Sequence, residues 1–210
     1  MDTIQEAIDA IAAGKAVLVM DDEDRENEGD IIFAAQFATA ELVGWTVRYS
    51  SGVLCVPMLG DRAEVLELPQ MVADNQDSKG TAYTVSCDAA EKITTGISAA
   101  DRALGARVLA SADAKPKDIT RPGHLFPLVA KNGLLQERQG HTEAAVVLCQ
   151  LAQVAPVGVI AELVSDTGEM LRGPEVQEFG KQHNCPVITI KDLITYLAEQ
   201  KDSHEKERQS

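Results

Sequence analysis

Apolar positions along the chain switch repeatedly between helical and strand spacing. Ile4, Ala7, Ile8 and Ile11 recur at helical intervals behind Thr3, Glu6 completes a capping box, and Gly14 ends the segment. Residues 16–20 form a short Val-rich run suited to a buried strand. A strongly acidic stretch, 21–30, separates it from a second apolar strand over 31–35. The alternation continues with a helix from the Thr39 cap to about Arg48 and a strand over 53–56 that Pro57 is expected to end. The signal weakens over 61–79, where 75–80 reads as a loop, and returns with a strand over 83–87. Ser98 can cap a helix reaching Leu109, with Ala103, Ala106 and Ala110 as a small-residue face.

In the second half, a loop over 121–124 leads into a strand over 125–129. Thr142 can cap a helix that buries Ala145, Leu148, Leu151 and Ala152. A strand over 157–164, a turn at 166–168, a helix opened by Pro174, a strand over 187–190 and a final helix follow. No Pro-, Gly- or Ser-rich linker and no internal repeat interrupts this order. The expectation is a single α/β (α+β) domain over 1–199, with a polar, disordered tail over 200–210. Strand order is not legible from the pattern.

Composition narrows the function. Nineteen basic against 33 acidic residues give a net charge of −14, which repels nucleic-acid backbones and anionic membranes. Aromatics at 4% leave few platforms for stacking bases, so no nucleic-acid partner is expected. No apolar run is long enough to span a bilayer, and the N-terminal residues lack the basic and apolar regions of a secretory signal. Cys55, Cys87, Cys149 and Cys185 are scattered, form no Cys-x-x-Cys pair and sit in or beside apolar segments. They read as free, mostly buried thiols of a cytoplasmic protein.

The acidic stretch is the densest chemical feature: seven carboxylates and Arg25 within ten residues, between two apolar strands. A solvated acidic turn is the plainest reading of a charge run. A hard divalent cation would offset the repulsion, and the flanking strands would hold such a site at a sheet edge. An EF-hand starting at Asp24 places oxygen ligands and Gly29 correctly, but Ala35 stands where the bidentate Glu belongs. That reading fails.

A second group, 138–143, precedes an apolar helix whose first N–H groups attract phosphate. Gly140 allows close backbone approach, Arg138 and Thr142 add donors, and His141 can bind a metal as neutral imidazole. An ordinary helix cap at Thr142 explains the same residues. His124 follows a rigid Arg-Pro-Gly turn and could be a packed loop residue. Glu162 interrupts an apolar strand, where a carboxylate is costly unless paired. It suits a general acid/base, or the open face of an edge strand. His183 and His204 receive no role. Together these residues point to a metal-assisted enzyme acting on a small phosphorylated molecule.

Four stretches, 21–30, 94–102, 121–128 and 140–144, occur in the order and wording that resembles 3,4-dihydroxy-2-butanone 4-phosphate synthases of riboflavin biosynthesis, in their stand-alone form. The likeness runs from about Ala7 to Ala198. It implies a lyase of three-layer α/β fold with a mixed sheet, converting D-ribulose 5-phosphate to L-3,4-dihydroxy-2-butanone 4-phosphate and formate. It implies Mg²⁺ or Mn²⁺, two ions per active site, and a homodimer with active sites at the subunit interface.

By the same resemblance Glu26 and His141 hold the metal ions. Arg25, Glu26, Asp30 and the turn Arg138, Gln139, Gly140, His141 and Thr142 bind the substrate, with Thr95 and Cys55 beside it. His124 and Glu162 move protons. Gln139 departs from the family's second glycine. Leu104-Gly105 departs from a Thr-rich pair, and Gly105 should weaken its helix by about 1 kcal/mol relative to Ala. The alternatives are another Mg²⁺-dependent sugar-phosphate lyase or isomerase, and a non-catalytic domain that binds a divalent cation or an anion.

Overall fold

The computed structural model describes residues 1–209, with side chains described through Lys201. Seven strands form one mixed sheet: β1 (Val17–Met20), β2 (Gly29–Ala34), β3 (Cys55–Met58), β4 (Cys87–Ala89), β5 (Ile119–Val129), β6 (Gly158–Glu162) and β7 (Val187–Thr189). Their order is β4-β5-β3-β6-β2-β1-β7. The β1–β7 and β3–β5 pairs are parallel, and the remaining neighbours antiparallel.

The helices are α1 (Ile4–Ala12), α2 (Ala40–Tyr49), α3 (Gly60–Val65), α4 (Ala99–Ala110), α5 (His141–Leu151), α6 (Gly173–His183) and α7 (Ile190–Gln209). The expectation of a disordered tail over 200–210 lies, from residue 202 on, outside the residues whose side chains are described.

Strand alternation divides the apolar residues between two cores. Leu18, Ile31 and Phe33 point to one face and pack with Val43, Ala103, Ala106, Leu109, Val176 and Phe179, so α2, α4 and α6 cover that side. Val17, Val19 and Ile32 point to the other, against residues of α1, α5 and α7. The result is the expected three-layer arrangement. Gly105 has a packing reason: a Cβ there would stand 2.8 Å from Leu125 Cδ1, so glycine lets α4 lie close on β5. The thiols of Cys55, Cys87 and Cys149 are buried and that of Cys185 half-buried, all four unbridged.

Four local expectations differ from the structure. Pro57 does not end its strand but lies inside β3. The carbonyls of Leu54 and Met58 accept from Phe126 and Ala130, so Pro57, of opposite parity, turns its missing donor toward β6. There β6 is paired on either side of the proline, at Cys55–Ile160 and Met58–Val157. Residues 121–124 belong to β5 rather than to a loop. The expected strand over 83–87 shrinks to β4 preceded by isolated bridges at Tyr83 and Thr84. Helix α3 lies in the weakly patterned stretch and has no side-chain cap to announce it. Among the described residues no helix is long and apolar enough to cross a membrane.

Candidate active site

The acidic stretch is the β1–β2 connection, and Asp21 folds it. Its buried carboxylate accepts from the backbone of Glu28 on Oδ1 (3.0 Å) and of Glu26 on Oδ2 (3.1 Å), and from Arg25 Nη1 on Oδ2 (2.9 Å). Arg25 also bonds Glu26 Oε2 at 2.5 Å. Burial works against the Arg25 charge, but Asp21 and Glu26 outweigh it and move the guanidinium pKa upward. Most of the like-charge repulsion in this run is therefore met by one arginine and by backbone donors.

At the opposite wall, α5 begins at Gly140, which offers no side-chain cap. The cap expected of Thr142 is not made, and the first N–H groups of the helix stay open to an anion. A Cβ on Gly140 would stand 2.4 Å from Arg138 Nη1 and 2.9 Å from Arg25 Nη2. Glycine thus allows two guanidinium groups from different loops to converge on one helix N-terminus. Glu143 holds Arg138 in place at 2.7 Å while accepting from the Lys131 backbone. Arg138 also reaches Lys79 O and Thr81 Oγ1.

His141 sits between these walls. Its Nε2 lies 3.1 Å from Val19 O, a carbonyl that can only accept, so Nε2 carries the proton and Nδ1 the lone pair. Nδ1 stands 3.6 Å from Asp30 Oδ1 and 3.9 Å from Glu26 Oε2. Burial lowers the pKa of His141 and keeps the ring neutral, the form that ligates metals. Asp21, Glu26 and His141 bring ligand atoms within 4.8 Å of one another. Asp30 Oδ1 is buried without a hydrogen-bond partner. An orphaned carboxylate oxygen beside an imidazole lone pair and two further carboxylates fits a hard divalent cation.

The carboxyl of Asp30 is pushed well above its ordinary 3.8, first by burial and then by Glu162, Glu26, Glu28 and Asp21. Glu28 rises for the same reason, burial first and Glu26 next. Glu162 follows in β6 as the cross-strand partner of Asp30 and accepts from Ser51 Oγ at 2.7 Å. Burial, then Glu162 and Asp30, push the Cys55 thiol up to about 12, and its neighbour Tyr83 likewise reaches about 12.

Most of these groups line one cleft of about 290 Å³, while Asp21 borders the neighbouring cavity. Eight of the residues expected from sequence meet there: Arg25, Glu26, Asp30, Cys55, Arg138, His141, Thr142 and Glu162. Gln139 is exposed and borders a neighbouring cavity instead. His124 and Thr95 do not line the cleft and belong to a separate cluster. There Asp88 binds His124, and Gly96, the residue after Thr95, lies against both. Sequence reasoning missed Tyr83, Thr81 and Asp88, whose placement depends on how β4 and its lead-in run along β5. Glu143, in the first turn of α5, was the last residue of the 138–143 group singled out from sequence.

The chain matches the sequence pattern of the 3,4-dihydroxy-2-butanone 4-phosphate synthase family over residues 5–196. It belongs to that family. It is 53% identical to the 3,4-dihydroxy-2-butanone 4-phosphate synthase of Candida albicans, over 93% of this chain and 96% of that protein. It is 56% identical to the riboflavin biosynthesis protein RibBA of Nocardia farcinica, over 98% of this chain but 49% of that longer protein. The chain therefore spans about half the length of some relatives and nearly all of others. A crystal structure of a family member in complex with two magnesium ions superposes with a TM-score of 0.93 at 46% identity, covering 96% of this chain and 99% of that one. The cation-free form of a 3,4-dihydroxy-2-butanone 4-phosphate synthase gives 0.90 at 45% identity, over 96% and 99%.

Proposed function

We propose that the protein is a lyase of riboflavin biosynthesis that converts D-ribulose 5-phosphate to L-3,4-dihydroxy-2-butanone 4-phosphate and formate. The observation that carries this reading is the cleft of about 290 Å³, lined by Glu26, Asp30 and His141 as cation ligands and by Arg25 and Arg138 as anion contacts beside the α5 N-terminus. Arg25, Arg138 and the open N–H groups of α5 hold the phosphate. Gly140 gives it room, and Gln139 contributes at most through its backbone.

Glu26 and His141 hold Mg²⁺ or Mn²⁺, two ions as in the magnesium-bound relative, with Asp21 and Asp30 within reach. A bound divalent ion polarises the sugar carbonyl and hydroxyls and stabilises enediolate charge. Asp30, whose carboxyl is pushed well above its ordinary pKa by burial and its acidic neighbours, stands within reach of the sugar hydroxyls and of the cation. Glu162, anchored through one oxygen by Ser51, moves protons at the sugar carbons. Cys55 stays a protonated thiol at neutral pH and acts as a wall and weak donor, not as a nucleophile.

The cleft lacks His124 and Thr95, and a second copy of the chain supplies them. Two observations support a homodimer with shared sites. The His124 side chain is 40% exposed outside its own cleft. Val53 at the cleft and Ile97 beside Gly96 are exposed apolar residues flanking the two halves. Mixing inactive His124→Ala and Glu162→Gln variants should then restore on the order of a quarter of the wild-type rate, since each mixed dimer holds one intact site. No recovery after exchange would overturn sharing.

The reaction is tested by ¹³C NMR with Mg²⁺ and ribulose 5-phosphate labelled at C4. Labelled formate that vanishes on adding EDTA is the expected result. Unchanged substrate from folded protein would exclude this lyase and leave another sugar-phosphate reaction or a binding role.

A further inference from the structure

Two arginines from different loops converge on the α5 N-terminus, and each is held on its own side by carboxylates. Asp21 and Glu26 hold Arg25, and Glu143 holds Arg138. Those bonds fix each arginine within its own loop but do not set the spacing between the two. A third segment does so, the stretch 75–81 between α3 and β4.

This stretch is closed by its own side chains. Asn75 Oδ1 accepts from the Asp77 N–H at 2.9 Å, and Asn75 Nδ2 donates to the Thr81 carbonyl at 2.9 Å. Asp77 Oδ2 accepts from the Thr81 N–H at 2.7 Å, and the Asp77 carbonyl from the Gly80 N–H at 3.0 Å. Lys79 therefore stands on a knotted turn, and from it one residue reaches both arginines. Its Nζ donates to the Arg25 carbonyl at 2.5 Å, while its own carbonyl accepts from Arg138 Nε at 3.2 Å. Thr81 Oγ1 accepts from Arg138 Nη2 at 3.0 Å. With Glu143 on Nη1, three of the five N–H groups of Arg138 are committed. One N–H on each terminal nitrogen is left for an anion.

Generic charge pairing does not explain the Lys79 contact. The hairpin it touches carries seven carboxylates, yet the ammonium sits on a main-chain carbonyl and forms no ion pair among the described residues.

We propose that Lys79 is a positioning residue that sets the distance between Arg25 and Arg138, so that both guanidinium groups engage one phosphate group. The proposal rests on the reading of this cleft as a sugar-phosphate site. The Lys79 side chain ties the acidic hairpin to the turn, and the Lys79 backbone ties the turn to Arg138. Lys79 acts on the anion through the two arginines.

Lys79→Met keeps the aliphatic stem and the main-chain bond to Arg138 and removes only the tie to Arg25. It should raise KM for ribulose 5-phosphate by about 3- to 10-fold, the range of one exposed hydrogen bond, with kcat and Tm close to wild type. Lys79→Arg can donate to the same carbonyl and should recover most of the loss. Wild-type KM in Lys79→Met would overturn the proposal.

A lysine that only adds positive charge would also lower KM, and a double-mutant cycle separates the two roles. Arg25→Met removes the guanidinium but leaves the carbonyl that Lys79 holds. If Lys79 works by placing that guanidinium, adding Lys79→Met to Arg25→Met should cost less than about twofold more. A full further loss in the double variant would make Lys79 an independent charge and overturn the proposal.

Titration of the Mg²⁺-loaded protein with inorganic phosphate repeats the cycle without turnover. Weaker binding in Lys79→Met, restored in Lys79→Arg, is expected, and equal binding in all three proteins overturns the proposal. A wild type that binds no phosphate removes the anion site and the proposal with it. If the wild type binds phosphate but releases no formate, the proposed reaction fails, while the phosphate cycle still decides the role of Lys79.

Discussion

Asp30 on β2 and Glu162 on β6 occupy the same rung of an antiparallel ladder, two carboxylates facing each other across the cleft floor. Like charges placed directly opposite are destabilising. Here the strain falls on Asp30, which is buried, has an unpartnered oxygen and ionises far less readily than an ordinary Asp.

Its folded pKa is raised, so its contribution to stability is full below 3.8 and is lost as pH rises toward the folded value. Asp30→Asn removes that loss. In EDTA the variant should be more stable than wild type at pH 8, because the wild type there bears the cost of ionising a buried carboxyl among acidic neighbours. The gain should shrink toward zero near pH 4. Thermal melts across that range check it, and a variant less stable than wild type at pH 8 would contradict the assignment. The same variant should lose most turnover, the trade of stability for function that strained sites show.

Glu162→Gln keeps the shape and the bond to Ser51 while removing the exchangeable proton. Expected is a fall in kcat of about 100-fold or more with Mg²⁺ affinity and KM within a few-fold of wild type. A mere cation- or anion-binding domain has no use for Glu162. Unchanged turnover would remove it from the mechanism, and lost Mg²⁺ binding would recast it as a ligand.

Gly140→Ala tests the anion site. Its backbone, at φ −117°, accepts alanine without strain, so the cost falls on the two guanidinium ends that the Cβ would displace. Each charge-assisted bond lost is worth about 1.5–3 kcal/mol. The variant should therefore raise KM for the phosphorylated sugar at least about tenfold with its melting temperature nearly unchanged. A titration with inorganic phosphate should weaken in parallel. Wild-type KM would place the phosphate elsewhere.

Much of the site was legible because its parts are contiguous in sequence. Arg25, Glu26 and Asp30 lie on one hairpin, and Arg138, Gly140 and His141 on one turn, so local chemistry announces them before any fold is known. Glu162 was visible as a lone charge in an apolar strand. What stayed hidden depends on register. No local pattern says that Tyr83 lies beside Cys55, or that Asp88 takes both of its hydrogen bonds from His124. Pro57 misled for a related reason: whether a proline ends a strand depends on which neighbour its nitrogen faces, and that is a property of the sheet. Gly105, unfavourable as helix propensity, is explained only by the approach of Leu125.

Metal removal separates the role of the acidic hairpin from that of the fold. The two apolar cores on either face of the sheet are built from buried hydrophobic side chains of every layer. Folding is therefore carried by burial, and chelation should leave far-ultraviolet circular dichroism unchanged. The hairpin differs: Asp21 gathers three donors, but Asp22, Glu23, Asp24 and Glu26 still crowd one turn. Without a cation their repulsion is offset by Arg25 and backbone N–H groups alone. Backbone amide exchange over 22–28 should rise in EDTA and fall again on adding Mg²⁺, with exchange in β1, β2 and α5 constant. Loss of protection throughout the sheet would mean that the cation holds the domain together and not only its catalytic edge.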